Sequence, residues 1–272
     1  MKKLVSILVL FALFTSNAHA QFGETIRSGR PGQAIGPFTV GARVLQFQAG
    51  VDYAAYKIDR PFNETMGRTI GSDLVIRYGI TERFEMGLGL VYKNETTTLS
   101  NFFEESSSTI EGISAFSVRV RSNIYEGKGL IPSVGFQFSM SLPAVSKVYR
   151  PMQVAPKITA MTNQRFGKRV GLTTNWGAVW DGKSEIPEGF YVINIGVDLT
   201  DFMSTFVELY ANFGKDHWNG SVDGGFAFLV TPNLQLDVLG GYGPFNVRDD
   251  WFVSTGISWR IRFNKKEKKE KS

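Results

Sequence analysis

Apolar and polar residues alternate with period two along most of this chain, in segments of roughly ten residues divided by turn chemistry. Side chains on a strand point to opposite faces in turn, so each segment has one greasy side and one wet side. ARVLQFQAGVDY sets Leu45, Phe47, Ala49, Val51 and Tyr53 against Gln46, Gln48, Gly50 and Asp52. RFEMGLGLVYK sets Phe84, Met86, Leu88, Leu90 and Tyr92 against Glu85, Gly87, Gly89 and Lys93. SVGFQFSMS, RVGLTTNWGAVW, FYVINIGVDL and STFVELYANF repeat the pattern, and WFVSTGISWRIRF closes it. Counted this way there are about twelve strands. QVAPKITAM is the weakest, because Pro156 lacks a ladder donor and belongs at an end or a bulge.

The period leaves open which side faces inward. A soluble sandwich turns its apolar file in, and a membrane barrel turns it out. The connections discriminate. Those after the second, sixth, eighth and tenth segments are short (TER, NQRFGK, TDF, TPN), and the one after the fourth is somewhat longer. Those after the first, third and fifth read as long polar loops, among them NETTTLSNFFEESSSTIEG. Short turns alternating with long loops around an even strand number is how an outer-membrane barrel is threaded, with both termini on the periplasmic side. The polar file carries Asp73, Arg77, Glu85, Arg119, Arg169, Asp198, Glu208, Asp223, Asp237, Arg260 and Arg262. A cation at the lipid midplane costs roughly 2–4 kcal/mol, so this file belongs in the lumen. Tyr53, Tyr78, Phe84, Tyr92, Trp180, Tyr191, Phe213, Trp251 and Phe263 fall near segment ends on the apolar file, as two interfacial girdles would. The expected fold is all-β, a transmembrane antiparallel up-and-down β-barrel.

Composition refines the frame. Lys2 and Lys3, the apolar run Leu4 to Phe14 and Ala18-His19-Ala20 make residues 1–20 a secretory signal, cleaved near Ala20. The barrel is then expected over 21–263, inserted in the cell outer membrane among its lipids. The chain has no cysteine, which excludes disulfides and thiolate metal sites. The formal charge of +5 resides largely in the signal and in the tail at 264–272, NKKEKKEKS, so the body is nearly neutral and no nucleic-acid partner is expected. No cofactor is expected either.

RYGITERFEMGLGLVY, FVELYANFG, DGGFAFLVTPNLQLDVLGGYG and DDWFVSTGISWRI resemble, in order and spacing, the outer-membrane family of the phenol-degradation MetA pathway. SGRPGQAIGPFTVGARVLQFQAGVDY is similar to that family's leading segment, with Gly29 where an Asp-Arg-Pro motif carries its aspartate. The resemblance implies a transporter-like barrel of a Gram-negative bacterium. The last strand also resembles the recognition signal read by the barrel-assembly machinery, carried here by Ser254, Gly256, Trp259, Ile261 and Phe263. Such proteins usually end on the aromatic, and nine residues follow Phe263.

Candidate chemistry is thin. His217 has Asp216 beside it and Ser221 four residues on, which is too little for a catalytic triad. Glu104-Glu105 and Asp249-Asp250 read as solvated loop charge. The expectation is no enzyme but a channel or transporter for small compounds, apolar or aromatic ones included. A closed structural or adhesive barrel is the alternative, and a lipid-acting membrane enzyme a more distant one. For a conduit, Arg77, Glu85, Arg119, Glu208, Asp237 and Arg260 are the expected charged lining. Substrate and oligomeric state stay open.

Overall fold

The computed structural model describes residues 25–101, 103–245 and 249–263; the signal at 1–20 and the tail at 264–272 lie outside these. The strands are β1 (Val44–Arg60), β2 (Asn63–Gly79), β3 (Phe84–Asn101), β4 (Glu105–Tyr125), β5 (Ser133–Ser141) and β6 (Ala155–Phe166). They continue as β7 (Val170–Val179), β8 (Glu188–Asp198), β9 (Met203–Phe213), β10 (Trp218–Thr231), β11 (Leu234–Tyr242) and β12 (Asp249–Arg262). Each pairs antiparallel with its sequence neighbours, and β12 returns to β1 from Val44↔Arg262 to Lys57↔Asp249. The result is a closed twelve-stranded barrel without a free edge within the wall.

The apolar file faces outward. On β12, Trp259 is 47% exposed and its neighbour Ser258 0%; Val253 and Ile257 are likewise exposed, and Arg260 is buried. The same inversion holds on β3, where Met86 and Leu88 are exposed while Glu85 is buried. A continuous apolar belt on the outside of a barrel is a lipid-facing surface, since in water it would drive aggregation. Rings on adjoining strands pair at both heights of the belt. Tyr53 and Trp251 lie 5.5 Å apart and Tyr191 and Phe213 6.3 Å apart toward one end, with Phe47 and Trp259 6.1 Å apart toward the other. Pro156 is the second residue of β6, where its missing N–H is tolerated.

Two of the connections expected to be long are not loops. β1 and β2 are joined by Pro61 and Phe62 alone, and β3 and β4 by residues 102–104. The threonine- and serine-rich stretch between them is strand, a hairpin standing above the belt. Threonine is a good strand former, and its hydroxyls pair across the ladder: Thr96 with Thr109 at 3.1 Å, Thr98 with Ser107 at 2.8 Å. Polarity there reports solvent, not irregular backbone. The connection at 142–154 is a true excursion and carries one short 3-10 turn, Lys147–Tyr149. Its Tyr149 hydroxyl donates to Glu95 at 3.0 Å, and withdrawal from water with that bond pushes the phenol up to about 12.

Candidate functional site

Residues 25–43 enter no strand. They hold four glycines and two prolines, and they run inside the barrel. The segment starts at the turn between β10 and β11, where the Ile26 N–H donates to Pro232 O at 2.8 Å. It rises along the β1–β12 seam, with Ser28 bonded to Ser258 at 2.7 Å and to Gln48 at 2.6 Å. It then crosses the lumen to β9 and β7, returns past β4 and β5, and joins β1.

Two anchors fix the crossing. Arg30 donates to Asp73 at 2.7 Å, to Ser254 at 2.9 Å and to Asp237 at 3.3 Å. Its guanidinium lies over Gly50 and Gly256, which face each other across the seam; a Cβ on either would stand 2.3 or 2.2 Å from it. Gly50 is six residues into β1, roughly 20 Å along the strand, so this anchor sits near the middle of the barrel. The second anchor holds main chain. Glu208 accepts from the N–H groups of Gln33 and Ala34 at 2.6 and 3.0 Å, and Asn175 both accepts from Ile35 N at 2.8 Å and donates to Ile35 O at 2.7 Å. Gly32 precedes this stretch at φ +89 with the Glu208 carboxylate 2.6 Å from where its Cβ would stand, so only glycine fits.

The return is held the same way. Asn123 donates to Pro37 O and Arg77 to Phe38 O, at 3.2 Å each, and Val40 N donates to Glu85 at 2.8 Å. Wall side chains thus satisfy peptide groups that a ladder satisfies elsewhere.

The six charged residues expected to line the lumen all stand on the inward file. Arg77 grips Glu85 through Nε and Nη2 at 2.8 and 2.9 Å, and Arg121 adds a third contact at 3.5 Å. Arg260 donates to Asn233 at 2.8 Å and to Thr25 O at 3.1 Å. Asp237 and Glu208 hold the segment as described, and Arg119 extends over Gly87 and Gly89 to bond Ser117 at 3.1 Å. Alternation puts Asn175 on the polar file without marking it as a site residue, and leaves out Arg30 and the segment itself. The available signal was a glycine- and proline-rich stretch too long for a linker, next to a wall with more hydrogen-bonding groups than it could use on itself. On β12, Ser254 and Gly256 point inward to Arg30, while Trp259 faces out; Phe263, just past the strand's end, is exposed as well.

The segment divides the lumen. An outer hollow of 430 Å³ is lined by Gln33 and Ile35 together with wall residues from Ser117 to Asn212. A middle hollow of 260 Å³ lies on the other side, lined by Ala34 and Gly36. A third of 520 Å³, at Thr25, Lys168 and Asp201, opens at the end that carries the short turns. Residues 33–36 are therefore a septum one peptide thick.

His217 contacts Glu188 at 3.3 Å on an exposed turn and makes no bond to Ser221. Among the described residues no cluster of three metal-ligating side chains occurs.

A closed barrel with a lipid-facing exterior, a charged interior and an internal plug defines the class: an outer-membrane-type β-barrel. The chain belongs to the family described as "Putative MetA-pathway of phenol degradation", which matches residues 28–261 and so includes most of the plug. Among solved structures the fold is similar to the COG4313 outer membrane channel from Pseudomonas putida F1, at TM-score 0.64 and 9% identity over 86% of this chain and 100% of that one. It is also similar to the KdgM porin, at TM-score 0.52 and 10% identity over 79% of this chain and 99% of that one. The transport unit of the autotransporter AIDA-I from Escherichia coli matches at TM-score 0.54 and 12% identity, over 93% of this chain and 97% of that one. No curated protein sequence matches.

Proposed function

We propose that this protein is an outer-membrane channel for small molecules whose passage is interrupted by its own leading segment. One observation carries the reading. The wall does not fill its own interior: among the described residues only the stretch Gln33–Gly36 stands between the outer and middle hollows, held by Glu208 and Asn175. A barrel built only as a scaffold has no need of a separable partition, because side chains from the wall can close a lumen of this size. The family and the channel-forming neighbours agree with a conduit. A solute would enter from the long-hairpin side, meet the septum, and pass to the periplasm when residues 33–36 leave Glu208 and Asn175.

The test is conductance in planar bilayers and swelling of liposomes. The full mature protein should show small or rare openings, and a variant lacking residues 25–41 should conduct steadily. Asn175→Ala, which keeps the segment but loosens the septum, should lie between. If all three are silent while migrating as folded barrels on a gel, the protein is a closed structural barrel.

A further inference from the structure

The outer hollow is lopsided in charge. Arg119 on β4 and Lys157 on β6 both face it, each in register with Ser139 on β5. That places their Cα atoms roughly 10 Å apart, two strand spacings, on one side of the hollow. Among the described residues neither cation stands in a salt bridge within 4.0 Å. Four of the lumen's carboxylates are engaged elsewhere. Glu85 is taken by Arg77 and Arg121, Asp73 and Asp237 by Arg30, and Glu208 by the plug. Asp223, opposite Glu208 on β10, does not line this hollow.

Two further polar atoms bear on the same space. Arg119 Nε is buried without a protein hydrogen-bond partner, its Nη2 being spent on Ser117. Thr159 Oγ1 is also buried and unpartnered, on a residue only 1% exposed. Beside these donors the inward file of β8 turns apolar. Phe190 and Val192 are both buried there, and Lys157 Nζ lies 4.1 Å from the Phe190 ring centroid. Two buried cations without a salt-bridge partner in a narrow lumen are stabilised by an anion that joins them.

We propose that the outer hollow is a binding site for a small carboxylate with an apolar body. The carboxylate sits between Arg119 and Lys157, drawing the guanidinium off Gly89 and the ammonium off the Phe190 ring, and the body lies against Val192 and the ring face so freed. This rests on the conduit reading above and names its substrate class.

Benzoate and its neutral analogue benzyl alcohol serve as probes, with binding to the folded full mature chain in detergent measured by calorimetry. Benzoate should bind at least about tenfold tighter than benzyl alcohol, the difference expected of charge-assisted hydrogen bonds. Arg119→Gln and Lys157→Met should each weaken benzoate roughly tenfold while the protein keeps its compact migration on a gel; Arg119→Lys should recover part of the loss. Equal binding of the two probes, equal displacement of benzoate by inorganic phosphate, or folded variants that bind benzoate like wild type would overturn the proposal. Binding is read without a gradient, so the two readings fail separately. Benzoate bound as expected but never carried into liposomes keeps the site and removes the conduit. Conduction with no preference for benzoate does the reverse.

Discussion

Arg30 reaches Asp73 at 2.7 Å across the inside of the barrel, joining the plug to a strand 43 residues further along the chain. The contact depends on Gly50 and Gly256 having no side chain, because the guanidinium occupies the space above both. An ion pair so placed ties an otherwise irregular segment to the wall at mid-height. It also makes that segment's position sensitive to single substitutions.

Arg30→Ala should therefore loosen the plug without dismantling the barrel. Asp73 and Asp237 lose their cation, and charged hydrogen bonds of this kind contribute roughly 1.5–3 kcal/mol. Urea unfolding of the protein folded into vesicles should show a loss in that range, and bilayer recordings should show more frequent openings. Gly256→Val should give the same openings, because its side chain evicts the guanidinium. If Gly256→Val conducted like wild type, Arg30 would not be what seats the plug.

The buried pair Arg77–Glu85 calls for a different expectation. Both side chains are nearly inaccessible, at 2% and 3%, and Arg121 stands beside them. Glu85→Gln leaves two guanidinium groups facing each other without a counter-charge and should cost about 3–5 kcal/mol. Replacing both partners, Arg77→Met with Glu85→Leu, should cost less than the single change, since one guanidinium, that of Arg121, is then left without its counter-charge instead of two. The measurement is the same unfolding titration, read as a double-mutant cycle.

The wall was legible in the sequence because lipid on one side and polar lumen on the other impose a strict period of two. Met86 and Glu85 announce their faces by type alone. Where water lies on both sides that constraint lapses, so the Thr96–Thr109 and Thr98–Ser107 rungs read as loop although they are strand. Lys157 went unmarked because Pro156 interrupts the pattern beside it. The plug was the least legible part. Its ties are mostly main-chain groups, such as the N–H of Val40 and the carbonyl of Phe38, and these carry no residue signature. Arg30 does carry one, but its partners lie in β2, β11 and β12 and can be named only once the barrel is closed.

Orientation has its own test. If the short turns face the periplasm, the tip joining β3 and β4 stands outside the cell, with Glu104 and Glu105 beside it. A glutamate-specific protease added to intact cells should cut there, and at exposed Glu185 in the β7–β8 loop on the same side, leaving fragments that stay associated as a folded barrel. Glu82, in the opposite turn between β2 and β3, should be cut only after the outer membrane is opened. The reverse pattern would invert the topology.

The loop between β7 and β8 offers an expectation in pH. Asp181 accepts from the N–H groups of Lys183 and Ser184, both at 2.8 Å, and these bonds, Ser184 first, hold its carboxyl below the ordinary aspartate range. A carboxyl lowered on folding favours the folded loop fully above its unfolded value, and the benefit is lost as pH falls through the lowered one. Protection of the Lys183 and Ser184 amides from hydrogen exchange, compared with intrinsic rates at each pH, should thus be constant near neutrality and drop in acid below the usual aspartate range. In Asp181→Asn, which keeps one acceptor oxygen but no charge, that protection should be weaker at neutral pH and no longer depend on acid. A loop whose protection fell equally in wild type and variant would owe its order to something other than this carboxylate.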